Sequence, residues 1–448
     1  MRPRPRRAPA FIAAATSVLI ALFSLQSPVA GVQSPDSKPA SHPHAIAEVR
    51  ALWVLRSSLA TPAAIETLVR TASAQGFNTL LVQIRGRGDA YYTSTLEPRA
   101  AELVRQPAAF DPLATVIREA HAAGLRVHAW MNTNLISSAV DLPLARTHII
   151  YEHPEWLMVP REIAQDVAKL DPTNPAYVGK IARWTRGESD VVEGLYASPI
   201  DRAAAAHTLA VVTDVANRYD LDGIHLDYVR YPNDQFDYSR FAIAAFRASI
   251  RPRLASDVRA AADAQNAIDL FAYPDRFPAE WKEFRRDRLT SLVTGIAQTL
   301  RAAHPGLMLT MAVKPDPAEA ADVRLQDWRR WLQTGLIDAV APMAYATEAD
   351  KFVEQISAAR EAAGSHAIWA GIGAYRLTPA QTIENIQAAR RLGAAGVVLF
   401  SYDSLTGPRP PAPDYLATVS RAAFSSSTDD QREPGKAATF PPFLKRRQ

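Results

Sequence analysis

The sequence predicts an α/β fold: a (β/α)8 TIM barrel with a long insertion between its third and fourth strands. Short runs rich in Val, Ile and Leu alternate eight times with segments whose apolar residues recur at three- and four-residue spacing. Glycines follow four of these helical segments, as they do at helix C-termini: Gly124, Gly335, Gly364 and Gly393. A doubly wound open sheet is the alternative, and it is disfavoured because no glycine-rich phosphate turn follows the first strand.

The predicted elements follow one another from residue 51 to residue 402. The strands are predicted at residues 51–55, 79–84, 126–131, 223–228, 307–313, 339–344, 367–374 and 396–402. The helices are predicted at residues 62–75, 112–123, 203–219, 285–303, 325–334, 349–363 and 379–392. The segment 133–221 is much longer than a usual βα loop of roughly 2–6 residues. We therefore expect it to carry extra structure over the catalytic face and to set substrate specificity.

The N-terminus has the composition of a secretory signal peptide. Arg2, Arg4, Arg6 and Arg7 precede an apolar run at 11–25 and small residues at 29–31, which predicts a signal peptide over 1–31 and a periplasmic or extracellular protein. An uncleaved membrane anchor is the alternative, but the run is shorter than the roughly 20 apolar residues that a spanning helix needs. Residues 32–48 are predicted to be a disordered linker, 49–422 the barrel and 423–448 a disordered polar and basic tail.

Charge and cysteine content narrow the classes of function. The chain has 50 basic and 46 acidic side chains, and removing the four N-terminal arginines leaves 46 of each. A near-neutral mature protein is not expected to bind nucleic acid, which requires a lasting basic excess. The absence of Cys excludes disulfides, thiolate metal sites and a cysteine nucleophile. No cofactor and no metal site are predicted, and the oligomeric state stays open.

The segment 223–232, GIHLDYVRYP, contains the strongest candidate catalytic residue. Ile224 and Leu226 share one face of the predicted fourth strand, whereas His225 and Asp227 share the other. Asp227 stands at the C-terminal end of this strand, where barrel enzymes place their catalytic groups. Because a buried carboxylate needs a partner or a function, we predict that Asp227 is catalytic.

Period-two alternation directs polar and aromatic side chains from the other strands toward the same mouth. We predict a substrate-binding set of Arg56, Gln83, Arg85, Tyr91, His128, Trp130, Asn132, His225, Tyr228, Arg230, Lys314, Tyr345 and Tyr402. The opposite faces are apolar, with Val127, Ala129 and Met131 on the third strand. Aromatic rings that stack on sugar faces, together with planar polar groups that bind hydroxyls, favour a polysaccharide substrate.

Glycoside hydrolysis usually requires two carboxylates. Asp227 is predicted to be the first and to act as the anion, because Arg56, Arg85 and Lys314 would lower its pKa if they lie nearby. Candidates for the second are Asp403 and Asp89, ranked above Glu193 and Glu348. Each of these four, taken alone, also fits a salt bridge, a helix cap or a loop.

An ordered set of motifs resembles the glycosyl hydrolase-like 10 domain proteins from about residue 50 to residue 404. The motifs are ALWV at 51–54, FNT at 77–79, QIR at 83–85, GDAYY at 88–92 with Ser94, HAWMN at 128–132, HPEW at 153–156, LDP at 170–172, DGIHLD at 222–227, YP at 231–232, QDW at 326–328, Asp338, PMAY at 342–345 and FSY at 400–402. The resemblance implies a barrel glycoside hydrolase of bacterial envelopes, and some relatives act on peptidoglycan glycan strands stripped of their stem peptides.

Two positions depart from the pattern that the resemblance implies. Tyr228 stands where many relatives have a second Asp, and Thr133 stands where relatives often have Pro. Two other functions stay open: a glycan-binding barrel without catalysis, and a metal-dependent hydrolase with His128, His225 and Asp227 as ligands. For each histidine, a core position with a hydrogen bond to a side chain of a neighbouring strand is the better interpretation. A serine hydrolase is disfavoured because the sequence has no G-x-S-x-G motif.

Overall fold

Eight parallel strands form a closed barrel surrounded by helices in the computed structural model, which describes residues 48–424, and the predicted fold class is confirmed. The strands are β1 Val49–Val54, β2 Thr79–Arg85, β3 Arg126–Asn132, β4 Leu135–Ser137, β5 Leu195–Tyr196, β6 Gly223–Asp227, β7 Met308–Val313, β8 Ala339–Ala344, β9 Ala367–Ile372 and β10 Gly396–Phe400. The barrel order is β1-β10-β9-β8-β7-β6-β3-β2, while β4 and β5 form a separate antiparallel pair. The predicted signal peptide and nearly all of the predicted linker and tail lie outside the described residues.

Helices cover the outside of the barrel and build the insertions. They are α1 Pro62–Ala74, α2 Pro112–Ala122, α3 Ile149–Glu152, α4 Arg161–Val167, α5 Pro175–Gly187, α6 Arg202–Arg218, α7 Arg240–Ile250, α8 Ser256–Asn266, α9 Ala272–Arg276, α10 Pro278–Ala303, α11 Pro317–Asp322, α12 Trp328–Gln333, α13 Ala349–Ala363, α14 Pro379–Arg391, α15 Tyr402–Thr406 and α16 Tyr415–Ala423. The four glycines predicted at helix ends all adopt positive φ, from 60° to 77°. Between residues 48 and 424, no helix combines the length and the apolar character needed to cross a bilayer.

Each barrel strand separates two different apolar layers. The outward side chains, such as Leu80, Val127 and Leu226, pack with the surrounding helices in one large core. The inward side chains form a smaller cluster that combines alanines with Trp53, Trp130 and Trp369. An eight-stranded barrel has an interior only wide enough to be filled by side chains, so three indoles require small residues opposite them. The predicted alternation of faces is therefore present.

Three side chains at the lower end of the barrel join neighbouring strands. Asn78, Asp222 and Asp338 each stand immediately before a strand, namely β2, β6 and β8. Each side chain accepts a hydrogen bond from a backbone N–H at the start of the preceding barrel strand, with N···O distances of 3.0, 2.8 and 2.8 Å. These acceptors satisfy N–H groups that would otherwise lack partners at the barrel floor. Three of the motif positions noted above thus serve the closure of the barrel.

Two insertions, rather than the one predicted, extend the barrel. The first runs from β3 to β6 and contains α3–α6 with the β4–β5 pair, and the second runs from β6 to β7 and contains α7–α10. Apolar residues from both insertions form one common core, which includes Trp156, Tyr177, Phe246 and Trp281. The second insertion was missed because its helices α7–α9 were not identified in the sequence; only the C-terminal part of α10 was.

Gly223 tests how tightly the barrel interior is filled. A Cβ at this position would lie 2.4 Å from the His128 ring, so we expect Gly223→Ala to lower the free energy of unfolding by about 1–3 kcal/mol through overpacking. Gly306→Ala is the matched control, because its Cβ would meet no heavy atom within 4 Å. Urea denaturation of both variants measures the difference, and an unchanged unfolding midpoint for Gly223→Ala would contradict the tight packing.

Candidate active site

Asp227 lies at the C-terminal end of β6 and is 5% exposed. Asn132 at the end of β3 is its register partner, and the Thr133 N–H donates to the Asp227 carbonyl oxygen at 2.7 Å. The Asn132 side-chain amide donates to the Gly86 carbonyl at 2.8 Å. Trp130 stands two residues before Asn132 on β3 and faces the inside of the barrel. The structure thus brings Asp227, Trp130 and Asn132 together at one mouth, as predicted.

Tyr228 adopts a left-handed backbone conformation with φ of 54°. In this conformation its N–H donates to Oδ1 of Asp227 at 2.6 Å, and its ring lies 4.0 Å from the Arg230 guanidinium carbon. A bulky residue in this region costs about 1–3 kcal/mol, so the surroundings must hold it there. The Asn134 N–H, which donates to the Tyr228 carbonyl at 3.3 Å, is one such contact.

A second contact comes from the loop that follows β7. The Gln326 amide donates to the carbonyl of Val229 at 3.2 Å, and the Tyr231 N–H donates to the carbonyl of Arg324 at 3.0 Å. The segment after Asp227 is therefore fixed from two sides, which explains the position of Gln326 in the motif at 326–328.

Arg230 joins Asp227 to a second carboxylate. Its Nη1 lies 3.4 Å from Oδ1 of Asp227, and its Nη2 lies 3.2 Å from Oε1 of Glu193. The Tyr196 hydroxyl donates to the other oxygen of Glu193 at 2.6 Å. Asp227 is nearly buried, whereas the Glu193 side chain is 37% exposed. Two carboxylates held by one guanidinium, with one side open to solvent, form a pair that a substrate can reach.

The pKa values of these two carboxyl groups shift in opposite directions. Burial raises the pKa of Asp227, and the Arg230 charge and the Tyr228 N–H only partly offset this effect. Burial also acts to raise the pKa of Glu193, but the Arg230 charge and the Tyr196 hydroxyl outweigh it and lower that pKa. Opposite shifts in a neighbouring pair are the arrangement that separates an acid from a base.

The prediction that Arg56, Arg85 and Lys314 lower the pKa of Asp227 is wrong, because other groups engage all three. Arg56 pairs with Asp89 at 3.2 Å, Arg85 pairs with Glu97 at 2.6 Å, and Lys314 lies 3.8 Å from Glu319. The cation that faces Asp227 is Arg230, three residues along the chain. The pKa of Asp227 is raised instead of lowered, and burial is the main cause.

The Arg85–Glu97 ion pair is buried beneath the mouth and supports it. The Arg85 side chain is 2% exposed and donates from Nε and Nη2 to both Glu97 oxygens, at 2.6–2.9 Å. Its Nη1 donates to the carbonyls of Asn132 and Thr133, at 3.2 Å in the second case. Arg85 therefore fixes the end of β3 rather than opening onto the mouth, where it was predicted.

An aromatic wall lines the opposite side of the mouth, composed of Trp53, Tyr345, Phe400 and Tyr375. The Tyr345 and Phe400 rings are nearly parallel, with centroids 5.5 Å apart and planes at 25°. Trp53 meets both edge-on, at 6.3 and 6.0 Å. Burial and then the charge of Asp227 raise the pKa of Tyr345, so the Tyr345 hydroxyl lies within electrostatic range of this carboxylate.

Tyr402 requires a correction within the same region. The last strand ends at Phe400, and Tyr402 begins helix α15 and packs in the outer core. Continuing the period-two alternation past Phe400 assigned Tyr402 to the mouth. Phe400 occupies that place instead, and it was missed because an apolar residue in a buried strand carries no functional signal by itself.

His128 and His225 lie inside the barrel and are 0% exposed, rather than at the mouth where they were predicted. The Trp53 indole N–H donates to Nε2 of His225 at 3.1 Å, so Nδ1 carries the ring hydrogen toward the Thr310 hydroxyl at 2.9 Å. Burial lowers the pKa of His225 to about 3. His225 is therefore a neutral core histidine with both nitrogens occupied, which removes it from the metal-ligand set.

The remaining β1 and β2 candidates form a separate polar group at the rim. The Arg56 guanidinium packs against Gly86, bonds Asp89 and lies 6.0 Å from the centroid of the Tyr91 ring. Asp89 also accepts the Arg87 N–H at 3.1 Å. Gln83 faces inward from β2 and is 8% exposed. Asp89 is thus an ion-pair and turn residue in this structure.

Asp403 joins the loops that follow the first and last barrel strands. Its carboxylate accepts the Leu55 N–H at 2.7 Å and the hydroxyls of Ser57 and Ser58 at 2.9 and 2.6 Å. Asp403 therefore joins the loop after β10 to the loop after β1, as the residues at the barrel floor join neighbouring strands. Glu348 is the N-cap of α13 and lies at the exposed surface.

Lys314 follows β7, and its side chain is 26% exposed. Burial and then the charges of Arg324 and Arg230 lower its pKa.

Within residues 48–424, no three His, Asp or Glu side chains are grouped closely enough to hold a metal ion.

Sequence analysis ranked Glu193 below Asp403 and Asp89 and left Trp53 out of the substrate-binding set, whereas in the structure Glu193 contacts Arg230 and Trp53 packs on Tyr345. Glu193 was considered, but its place in an insertion gave no indication of which way its side chain points. Ala51 and Trp53 both face inward on β1, so strand parity could have identified Trp53.

Comparison with known proteins places the chain among glycosyl hydrolase-like sequences. The sequence profile described as "Glycosyl hydrolase-like 10" matches residues 48–388. The chain is 27% identical over 307 residues to Glycosyl hydrolase YngK of Bacillus subtilis (strain 168), covering 62% of this chain and 48% of that protein. It is 22% identical over 306 residues to Glycosyl hydrolase DigH of Escherichia coli (strain K12), covering 60% and 55%. The chain thus spans about half the length of these curated relatives.

A solved structure shares the architecture. The PgaB (BpsB) glycoside hydrolase domain from Bordetella bronchiseptica superposes with a TM-score of 0.58 and 13% sequence identity, covering 85% of this chain and all of that domain. At this level of identity the likeness concerns the fold alone.

Glu97 should make stability depend on acid pH. Burial acts to raise the pKa of Glu97, but pairing with Arg85 and His207 lowers this pKa to about 2, against roughly 4.3 in an unfolded chain. The contribution of Glu97 to the free energy of unfolding is therefore complete above about pH 5 and is lost as the pH falls toward 2. We expect Glu97→Gln to cost about 3–5 kcal/mol at pH 7, because Arg85 stays buried without its partner.

Denaturant titrations between pH 7 and pH 2 check this expectation. The wild type should lose stability with falling pH more steeply than Glu97→Gln. Glu66→Gln is the control, because Glu66 forms an exposed pair with Arg70 and should contribute less than about 1 kcal/mol. Equal effects of the two substitutions would contradict the role of the buried pair.

Proposed function

The chain belongs to the glycosyl hydrolase-like 10 family, and we propose that it is a glycoside hydrolase that cleaves O-glycosidic bonds of a polysaccharide by carboxylate acid–base chemistry. One observation carries the proposal: Arg230 holds Asp227 and Glu193 beside an aromatic wall, and the pKa values of the two carboxyl groups shift in opposite directions. Both carboxylates stand at the C-terminal mouth of the barrel, where this fold places its chemistry.

The raised pKa suits Asp227 to be the general acid. In the protonated form it donates its proton to the glycosidic oxygen as the bond to the anomeric carbon breaks. Its side chain is almost buried, and the Tyr228 N–H and Arg230 bind the carboxylate that is left behind. The acid therefore has a fixed orientation before the substrate arrives.

The lowered pKa suits Glu193 to be the anionic partner. Its negative charge stabilises the oxocarbenium-ion-like transition state, and its open side lets it reach either a water molecule or the anomeric carbon. Tyr196 and Arg230 each donate a hydrogen bond to one of its two oxygens, which fixes the orientation of the carboxylate. The stereochemistry of the product decides between inversion and retention.

The aromatic wall supplies the binding surface for sugar rings. Tyr345 and Phe400 are partly exposed and pack on the buried Trp53, and Asn132 and Gln83 add amides near the same mouth. This combination of apolar rings and planar polar groups binds the two kinds of surface that a sugar has.

The proposed substrate is the glycan strand of peptidoglycan from which the stem peptides have been removed, and the proposed location is outside the cytoplasm. The support is the motif resemblance and the signal-like N-terminal segment, which lies outside the described residues. N-terminal sequencing of the exported protein tests the location, with a mature terminus expected near residue 31.

A glycan-binding barrel without catalysis is one of the two alternatives that the sequence leaves open. It rested on a missing second carboxylate, and Glu193 now occupies that role in the proposed mechanism.

Incubation of the purified protein with peptide-free peptidoglycan glycans and a panel of other polysaccharides, followed by mass analysis, tests the activity. We expect Asp227→Asn to lower kcat by about 10²–10⁴-fold. Glu348→Gln is the matched control, because Glu348 is another carboxylate after a barrel strand but lies at the exposed surface. Full turnover by Asp227→Asn, or binding without any product from the wild type, would overturn the proposal.

The pH profile distinguishes the two carboxylates. We expect kcat/KM to rise with pH as Glu193 loses its proton and to fall as Asp227 loses its own, because the pKa of Glu193 is lowered and that of Asp227 is raised. Glu193→Gln should remove the rising limb, and azide should restore turnover of an activated aryl glycoside by Glu193→Ala. A glycosyl azide of inverted configuration from Asp227→Ala, and not from Glu193→Ala, would reverse the assignment, because azide replaces the anionic carboxylate only when it attacks the anomeric carbon directly.

A further inference from the structure

We propose that the exposed face of Tyr375 is a second sugar-binding subsite, which extends the glycan-binding surface beyond the carboxylate pair and favours long glycan chains over short ones. This inference rests on the proposed function and names a feature of the same site. It concerns a residue that lies outside the sequence-predicted set, in the loop that follows β9.

Tyr375 continues the aromatic wall outward. Its ring meets Tyr345 at 6.3 Å and Phe400 at 5.7 Å, nearly edge-on in both cases, with interplanar angles of 87° and 77°. Tyr345 lies beside Asp227, so Tyr375 is one ring farther from the chemistry. Rings arranged in this way present successive surfaces along one direction, as a chain of sugars requires.

Tyr375 is more exposed than the two wall residues on which it packs. Tyr375 is 40% exposed, whereas Tyr345 and Phe400 are only partly exposed. An exposure of 40% leaves part of the Tyr375 ring open to solvent. The Arg376 guanidinium lies over the ring, 5.8 Å from its centroid, and adds hydrogen-bond donors beside it.

The backbone that carries Tyr375 is held in place. Residues Ala374–Arg376 form a short 3-10 helix, and a Cβ on Gly373 would lie 2.9 Å from Cβ of Tyr345. The Tyr415 hydroxyl of α16 lies within hydrogen-bonding distance of the carbonyls of Ala374 and Leu377, at 3.1 and 3.0 Å. A fixed, exposed aromatic ring next to a catalytic mouth loses little conformational entropy when it binds a ligand.

The charge around Tyr375 is mixed. Arg376 stands next to it in the sequence, and the exposed Glu348 carboxylate lies close enough to Arg376 for hydrogen bonds to Thr347 and then this charge to lower the pKa of Glu348. A sugar ring that stacks on Tyr375 therefore meets an aromatic face flanked by a guanidinium, which can bind ring hydroxyls or a carboxylate substituent.

Binding measurements in the Asp227→Asn chain test the subsite without interference from cleavage. The probes are oligomers of two, four and six sugar units from peptide-free peptidoglycan, with chitin and cellulose oligomers of the same lengths, and calorimetry gives the affinities. We expect Tyr375→Ala to weaken binding of the six-unit probe about 5- to 10-fold and that of the two-unit probe less than about twofold. Tyr375→Phe keeps the ring and should bind like the parent.

Phe241→Ala is the matched control, because Phe241 is similarly exposed at 38% but lies on α7 in the second insertion. Equal affinity of Tyr375→Ala and its parent at every length would overturn the subsite while leaving the glycosidase proposal intact. The same holds if all lengths lose affinity equally, because Tyr375 would then act through the central site. If the parent binds none of the probes, the subsite is rejected, and the product assay with wild-type protein decides separately whether the glycosidase function stands.

Discussion

The arrangement of the site depends on one guanidinium. Arg230 is buried and contacts Asp227, Glu193 and the ring of Tyr228 at once. Without its positive charge, two carboxyl groups sharing a small space would each have a raised pKa, because burial and mutual repulsion both disfavour ionisation. With it, Glu193 ionises more readily while Asp227, which is more deeply buried, keeps a raised pKa. The division of roles between two acids therefore follows from burial and from the position of one cation.

This arrangement requires the insertions as much as the barrel. Asp227 and Arg230 follow β6, whereas Glu193 comes from the segment just before β5, in the first insertion. The β4–β5 pair positions Glu193, and the apolar core shared by both insertions supports that pair. The loop after β7 then fixes the chain around Val229 and Tyr231. The geometry of the proposed catalytic group thus depends on contacts between residues that lie far apart in the sequence.

The two ends of the barrel divide the motif residues between stability and chemistry. At the floor, Asn78, Asp222 and Asp338 satisfy backbone N–H groups of neighbouring strands. At the mouth, Asp227 and Tyr345 belong to the candidate active site. Arg85 and Asp403 stand at the mouth end but have structural roles. Arg85 forms an ion pair with Glu97, and Asp403 accepts hydrogen bonds from the Leu55 N–H and the Ser58 hydroxyl. A polar residue at the end of a strand is therefore insufficient evidence for contact with a substrate.

The sequence by itself determined the barrel, because the period of apolar residues and the glycines at helix ends are local properties of the chain. It also determined the place of Asp227, since strand parity and the end of a strand can both be read from GIHLDYVRYP. It could not determine the second carboxylate, because the direction of Glu193 depends on how an insertion folds against the barrel. Nor could it determine the pKa of Asp227, which depends on burial and on which cation lies nearest. Only the tertiary structure showed that Arg230 rather than Arg56, Arg85 or Lys314 faces this carboxylate, because the ion pairs that engage the other three form between side chains whose contact the sequence pattern does not specify.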